Sequence, residues 1–319
     1  MSRSESPQPA IQTEGLHKQY GDIQAVRDLD LSVPAGSIFG FLGRNGAGKT
    51  TTMRLITGLA RPDSGRAWVA GVETTNGDGR GQARFGYLPQ EPAFYNWMTA
   101  TEYLDYTGRL FELPPQERKE RVSQLLELVE LKEAARRKVG GFSGGMKQRL
   151  GLAQALIHRP PVLILDEPMA GLDPAGRRDV LDLLERLRET TTVFFSTHIL
   201  ADVERVCDTV GIIHEGRLVE VADREELLSR YSMDVAVLQI RPDAQAQGEA
   251  LAEELRAQPW VSSVAVEGST IRINAADAAG GQTDLLPLVV KHGLPVVKYE
   301  WVRPNLEEIF LSLSEEAAS

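Results

Sequence analysis

The stretch Gly43-Arg44-Asn45-Gly46-Ala47-Gly48-Lys49-Thr50 fits G-x-x-x-x-G-K-[ST] and restricts the fold more than any other part of the chain. An apolar run over residues 37–42 precedes it and a helical pattern follows. The loop therefore joins a buried strand to a helix N-terminus, the setting this motif requires. Its glycines let the backbone wrap round oxygen atoms without a Cβ clash. The N–H groups so exposed, with the helix terminus behind them, form an anion cradle. Lys49 is expected to neutralise β- and γ-phosphates, and Thr50 to offer its hydroxyl to Mg²⁺. Met53, Ile56 and Leu59 recur at helical spacing and are expected to seat the helix on a sheet.

The rest of the first 230 residues reads as an α/β fold around this loop. Residues 37–42, 84–88, 162–166, 192–197 and 210–214 read as strands between amphipathic helices. The unbroken run Val162-Leu163-Ile164-Leu165 predicts a sheet covered on both faces. That run ends in Asp166-Glu167. A strand ending beside the phosphate loop would bring Asp166 to the Mg²⁺ and let Glu167 polarise a water against the γ-phosphate. Residues 91–160 are mostly helical and lie between two core strands, so they predict an inserted helical subdomain. Thr99 and Glu102 are spaced as a capping box for a helix starting near Ala100. A charged helical stretch covers residues 114–131. Ser143-Gly144-Gly145 opens a further helix, with Ser143 suited to the N-cap and the glycines baring N–H groups. Met146, Leu150, Ala153 and Ile157 then mark its buried face.

Taken in order, these motifs resemble the nucleotide-binding subunit of ABC transporters over about residues 11–230. Residues 43–51, Thr51 included, correspond to the Walker A loop and Gln90 to the Q-loop. Residues 142–148 correspond to the signature, 163–167 to Walker B, Asp173 to the D-loop and His198 to the switch histidine. Tyr20 matches the aromatic residue that stacks on adenine. The resemblance implies two copies closed head to tail around two ATP molecules. Each ATP would lie between the Lys49 loop of one copy and Ser143-Gly144-Gly145 of the other. Gln90 would approach Mg²⁺ and relay the nucleotide state through the helical subdomain, Glu167 would activate water, His198 would hold the γ-phosphate, and Asp173 would tie the two sites together. Phe142 stands where Leu is usual and Met146 where Gln is usual, while the Ser-Gly-Gly core is intact. This signature, with Pro304-Asn305-Leu306-Glu307-Glu308-Ile309-Phe310-Leu311 near the end, is similar to the drug-export branch of daunorubicin-resistance type, where ATPase and permease are separate chains.

Composition sets the remaining expectations. The chain has 319 residues, which suggests about two domains. Residues 1–10 are Ser-, Pro- and Gln-rich and read as disordered. After a break near residues 230–234 the pattern becomes βαββαβ, the split ferredoxin-like order, over residues 231–319. A last helix is expected over 306–313, capped by Asn305 and Glu308. This small α+β domain is expected to serve dimerisation rather than ligand sensing, with Trp260 and Trp301 in its core. The net charge is −10, and most of the excess lies after residue 230, so no nucleic-acid partner is expected. No apolar run approaches the roughly 20 residues of a membrane span. The start lacks a signal peptide's apolar stretch. The expectation is a cytoplasmic ATPase, peripheral on the inner face of the membrane through a separately encoded polytopic permease, with ATP and Mg²⁺ as its ligands and export as its direction. The alternative is a soluble ABC ATPase acting on a non-membrane partner. A single phosphate loop and the short interval between Gln90 and Ser143 disfavour ribosomal and DNA-repair forms.

Overall fold

The computed structural model describes residues 8–230 and 234–302. The chain divides into two compact units between Arg224 and Glu225. The first unit contains β1 (Ile11–Tyr20), β2 (Ile23–Val33), β3 (Ile38–Leu42), α1 (Lys49–Ile56), β4 (Ser64–Val69), β5 (Val72–Glu73) and β6 (Phe85–Leu88). The helices α2 (Ala100–Leu110), α3 (Pro115–Leu128) and α4 (Gly144–Ala155) follow. It then runs through β7 (Val162–Leu165), α5 (Pro174–Leu187), β8 (Thr192–Thr197), α6 (Leu200–Val206), β9 (Thr209–His214) and β10 (Arg217–Asp223).

Six strands form the main sheet in the order β10-β9-β3-β8-β7-β6. All but β10 run parallel. Every residue of β3, β7 and β8 is buried, as continuous apolar runs in a doubly covered sheet must be. On one face Phe39, Phe41 and Phe194 meet at ring distances of 5.4–5.5 Å and join Met53, Leu55 and Ile56 of α1. Residues of a second, antiparallel sheet, β2-β1-β4-β5, complete that core. On the other face a Cβ at Gly40 would come within 2.7 Å of Cys207 Sγ and 3.2 Å of Val203, which places α6 hard against the strand.

The helical insertion is present as α2, α3 and α4. Thr99 Oγ1 accepts from Glu102 N at 3.2 Å and Glu102 Oε2 accepts from Thr99 N at 2.8 Å, so the capping box forms. At Gly86 a Cβ would sit 1.9 Å from the Ala155 carbonyl oxygen, so only glycine lets α4 approach β6 this closely. Three sequence expectations need correction. Leu59 is 63% exposed, because α1 ends at Ile56 and only Met53 and Ile56 of the expected trio reach the core. Met146 is only half-buried, whereas Leu150, Ala153 and Ile157 are fully buried. Ala10 is already ordered, donating to Val33 O and accepting from Ala70 N, both at 2.8 Å. Residues 1–7 lie outside the described residues.

Behind β8, Arg177 of α5 donates to both carboxylate oxygens of Asp202 at 2.6 and 2.7 Å. Asp202 is only 2% exposed, and its Oδ2 also accepts from Thr197 Oγ1 at 3.3 Å. Arg177→Ala would strand a buried carboxylate. We expect it to destabilise the first unit by about 3 kcal/mol, read as a lower denaturation midpoint at unchanged slope. A loss under about 0.5 kcal/mol, the range of ordinary surface changes, would contradict this.

The second unit begins with α7 (Arg224–Arg230), most of which belongs to it. It continues as β11 (Asp234–Ile240), α8 (Gln245–Arg256), β12 (Val261–Glu267), β13 (Thr270–Ala275), α9 (Ala278–Lys291) and β14 (Val296–Val302). The strands form one antiparallel sheet, β12-β13-β11-β14, which is the ferredoxin-like order. Leu238, Leu251, Leu255, Ile271, Ile273 and Leu285 fill its core with Trp260, and Trp301 packs against them. The expected helix over 306–313 and its capping pair Asn305 and Glu308 lie outside the described residues. No helix among the described residues is long and apolar enough to cross a membrane.

Candidate active site

The phosphate loop leaves β3 and enters α1 through Gly48, whose φ is +107°. A Cβ there would lie 2.4 Å from the Ala25 carbonyl oxygen, so this position demands glycine twice over. The first N–H groups of α1 have no partner within the helix and are left to bind an anion. Lys49 folds back over the loop: its Nζ donates to Gly43 O at 2.6 Å and to Arg44 O at 3.3 Å. The same ammonium lies 3.2 Å from Glu167 Oε1, both side chains being almost fully buried. Ala47, inside the loop, accepts from Gly216 N at 2.9 Å and fixes the loop to the turn after β9.

The acidic pair follows β7. That strand does not border β3, because β8 is inserted between them. The ends of β7 and β8 build the site together. Asp166 is fully buried, and its Oδ1 accepts from Ser196 Oγ at 2.7 Å. Its Oδ2 is buried without a protein partner. A buried carboxylate oxygen needs a hydrogen bond or a cation, so the donor chemistry fits Mg²⁺. Burial, and next the Asp166 charge, push the Tyr87 phenol up to about 12, so this neighbour stays neutral at physiological pH. Glu167 adopts a left-handed backbone, φ +48°, with its N–H donating to Ser196 Oγ at 2.9 Å. Its carboxylate lies between Lys49 and His198, whose Nδ1 is 3.0 and 3.2 Å from the two oxygens. A carboxylate only accepts, so this pairing assigns the proton to Nδ1.

Lys49 and Glu167 line a cavity of about 590 Å³; Asp166 and His198 do not line it themselves. Arg44, Asn45, Gly46, Gly48, Lys49, Thr50 and Thr51 form one wall, with Gln90 and Glu167 elsewhere along it. Ile23, Ala25, Arg27 and Glu215 also line it; none of these stood out in the sequence. Tyr20 is half-exposed and does not line it, lying instead beside Lys18, whose Nζ is 5.3 Å from its ring centre. Ser143, Gly144 and Gly145 stand at the N-terminus of α4, away from this cavity, with Ser143 Oγ accepting from Met146 N at 3.3 Å. Asp173 is also away from it, capping α5 by accepting from Gly176 N at 2.8 Å.

A family-wide sequence profile described as ABC transporter matches residues 26–170. The ABC transporter ATP-binding protein YxlF of Bacillus subtilis (strain 168) is 38% identical over 303 residues, covering 95% of this chain and 99% of its own. The chain belongs to the ABC transporter ATP-binding family. It is accordingly an ATP-binding and ATP-hydrolysing transporter subunit. The linearmycin resistance ATP-binding protein LnrL of the same organism is 35% identical, covering 95% of this chain and 98% of its own. A solved ATP-binding subunit of an ABC transporter is 30% identical, superposes with a TM-score of 0.64, and covers 70% of this chain and 93% of its own. Within this ABC subunit the unusual signature residue Phe142 is buried, while the Ser143-Gly144 backbone beside it is exposed. The Phe-for-Leu change therefore concerns packing inside the helical subdomain, not the loop that would meet phosphate.

Proposed function

We propose that two copies of this chain close head to tail around two ATP·Mg²⁺ and drive export through a separate polytopic membrane permease. One observation carries this reading. Lys49 and Glu167 meet on the wall of one cavity, with His198 against Glu167 and the buried Asp166 next to it in the chain, whereas Ser143 and Gly144 stand exposed at a helix N-terminus that does not line it. An exposed anion-binding terminus off the cavity suits the phosphates of a second copy's nucleotide. Export is supported by the likeness to a resistance ATP-binding protein.

In this reading the loop N–H groups and Lys49 bind the β- and γ-phosphates, and Tyr20 attends the adenine. Thr50, Asp166 and Gln90 would hold Mg²⁺, which when bound neutralises charge on the phosphate oxygens. Glu167 accepts the proton of the attacking water. His198, whose Nδ1 faces Glu167, would hold the γ-phosphate from its other ring nitrogen. Asp173 reaches across the dimer, and Gln90 relays nucleotide state through the helical subdomain, whose bounds we place at about 91–160. The ATPase domain, expected over 11–230 after a tail of residues 1–10, takes in Ala10 and ends near Arg224, where the two compact units divide. Residues 231–319 serve dimerisation, and the assembly sits on the inner face of the membrane with no nucleic acid.

Affinity purification of the tagged chain from detergent-solubilised membranes tests this. The expected companion is a stoichiometric protein with several separate apolar stretches of about 20 residues each. Ribosomal proteins, DNA-associated proteins or no companion would overturn the exporter reading.

A further inference from the structure

Ser196 is absent from the phosphate loop, the acidic pair and the signature, yet its hydroxyl touches both acidic residues of the site. It donates to Asp166 Oδ1 at 2.7 Å and accepts from Glu167 N at 2.9 Å. The directions are forced. Asp166 as a carboxylate can only accept, so the single hydroxyl proton points to it, and the oxygen lone pairs remain for the Glu167 N–H. All of this is buried: Ser196 and Asp166 are 0% exposed and Glu167 is 7% exposed.

We propose that Ser196 is a positioning residue that presents the Asp166 carboxylate to the divalent cation and locks the Glu167 backbone for catalysis. This rests on the reading that Asp166 is the cation's ligand. Occupying Oδ1 fixes the carboxylate plane and leaves Oδ2, the buried oxygen without a protein partner, as the atom for the cation. Outer-shell hydrogen bonds of this kind set ligand orientation. The second bond holds a residue that pays for a left-handed backbone, φ +48°, in order to aim its side chain between Lys49 and His198. One hydroxyl thus couples cation placement to base placement. Alanine would break both bonds at once and leave a buried N–H and a carboxylate oxygen unpaired.

The test uses the full chain with a non-hydrolysable ATP analogue and Mn²⁺ followed by electron paramagnetic resonance. Ser196→Ala is expected to weaken Mn²⁺ binding about 10-fold or more, with analogue affinity in the absence of metal unchanged. Its kcat should fall while the KM for ATP stays near wild type. Ser196→Thr, which keeps the hydroxyl, is expected to restore Mn²⁺ affinity. Should Ser196→Ala lose its cooperative melt, Ser196→Cys, with only a weak S–H donor, replaces it with the same expected loss. Asp166→Asn is the reference variant. Wild-type Mn²⁺ affinity in Ser196→Ala, alongside loss in Asp166→Asn, overturns the role of Ser196 alone. Wild-type affinity in Asp166→Asn as well removes Asp166 as the ligand and overturns both.

Discussion

Glu167→Gln is expected to cut ATP turnover about 10²- to 10⁴-fold, the usual worth of a positioned general base, while ATP stays bound. The change is isosteric; it removes the ability to take a proton and the negative charge that faces Lys49 and His198. The groups proposed to bind nucleotide, Lys49 and the N-terminus of α1, keep their own side chain and N–H groups. On the proposed reading, binding energy is still expected to close the two copies, and the step that reopens them is lost. Static light scattering with ATP and Mg²⁺, alongside single-turnover hydrolysis, reads both effects. A variant turning over within about threefold of wild type would remove Glu167 as the base. A variant that is slow yet monomeric, even with the permease present, would reject the closed pair of nucleotides.

Lys49→Ala is expected to weaken ATP binding by a factor on the order of 10² and to abolish turnover. Two effects combine. A desolvated ammonium is lost from the phosphates, where charge-assisted hydrogen bonds are strongest. The clamp on the Gly43 and Arg44 carbonyls is lost too, so the loop no longer holds its shape without ligand. Glu167 also loses the cation 3.2 Å away and keeps only His198. Titration calorimetry with ATP checks this directly, and unchanged affinity would reject the cavity as the nucleotide site. Lys49→Arg is not expected to restore function, since a planar guanidinium cannot reproduce a compact ammonium bonded back to two carbonyls.

Much of the architecture was legible because its determinants are local. The loop glycines, the Thr99–Glu102 box and the apolar runs of β3, β7 and β8 each act within a few residues of themselves. The ferredoxin-like order of the second unit was legible from strand and helix alternation, even though Gly280 and Gly281 obscure the first turn of α9, which begins at Ala278. The antiparallel sheet was harder. Residues 29–33 of β2 alternate cleanly between buried and exposed, but β1 shifts register against it three times, which blurs the period. At the site, Asp166 and Glu167 could be read from one strand end. Ser196 could not, because its meaning comes only from β8 being inserted beside β7, a long-range pairing with no local mark. Tyr20 was legible only by likeness, and its ring stands outside the cavity.

The strand order also governs how the chain must be made. β3, which carries the phosphate loop, has β8 and β9 as its only strand neighbours among the described residues, and both come more than 150 residues later. During synthesis β3 therefore waits, bare on both edges, until the helical insertion and the acidic strand have left the ribosome. At about 5–20 residues per second this interval lasts on the order of 10 s or more. Through it a fully apolar strand, Ile-Phe-Gly-Phe-Leu, has no partner and is open to wrong pairing. Chains truncated before residue 192 keep the whole phosphate-loop motif and still lack the strands that hold it in place. Nucleotide affinity in this subunit thus arrives late and all at once, as a property of the finished sheet.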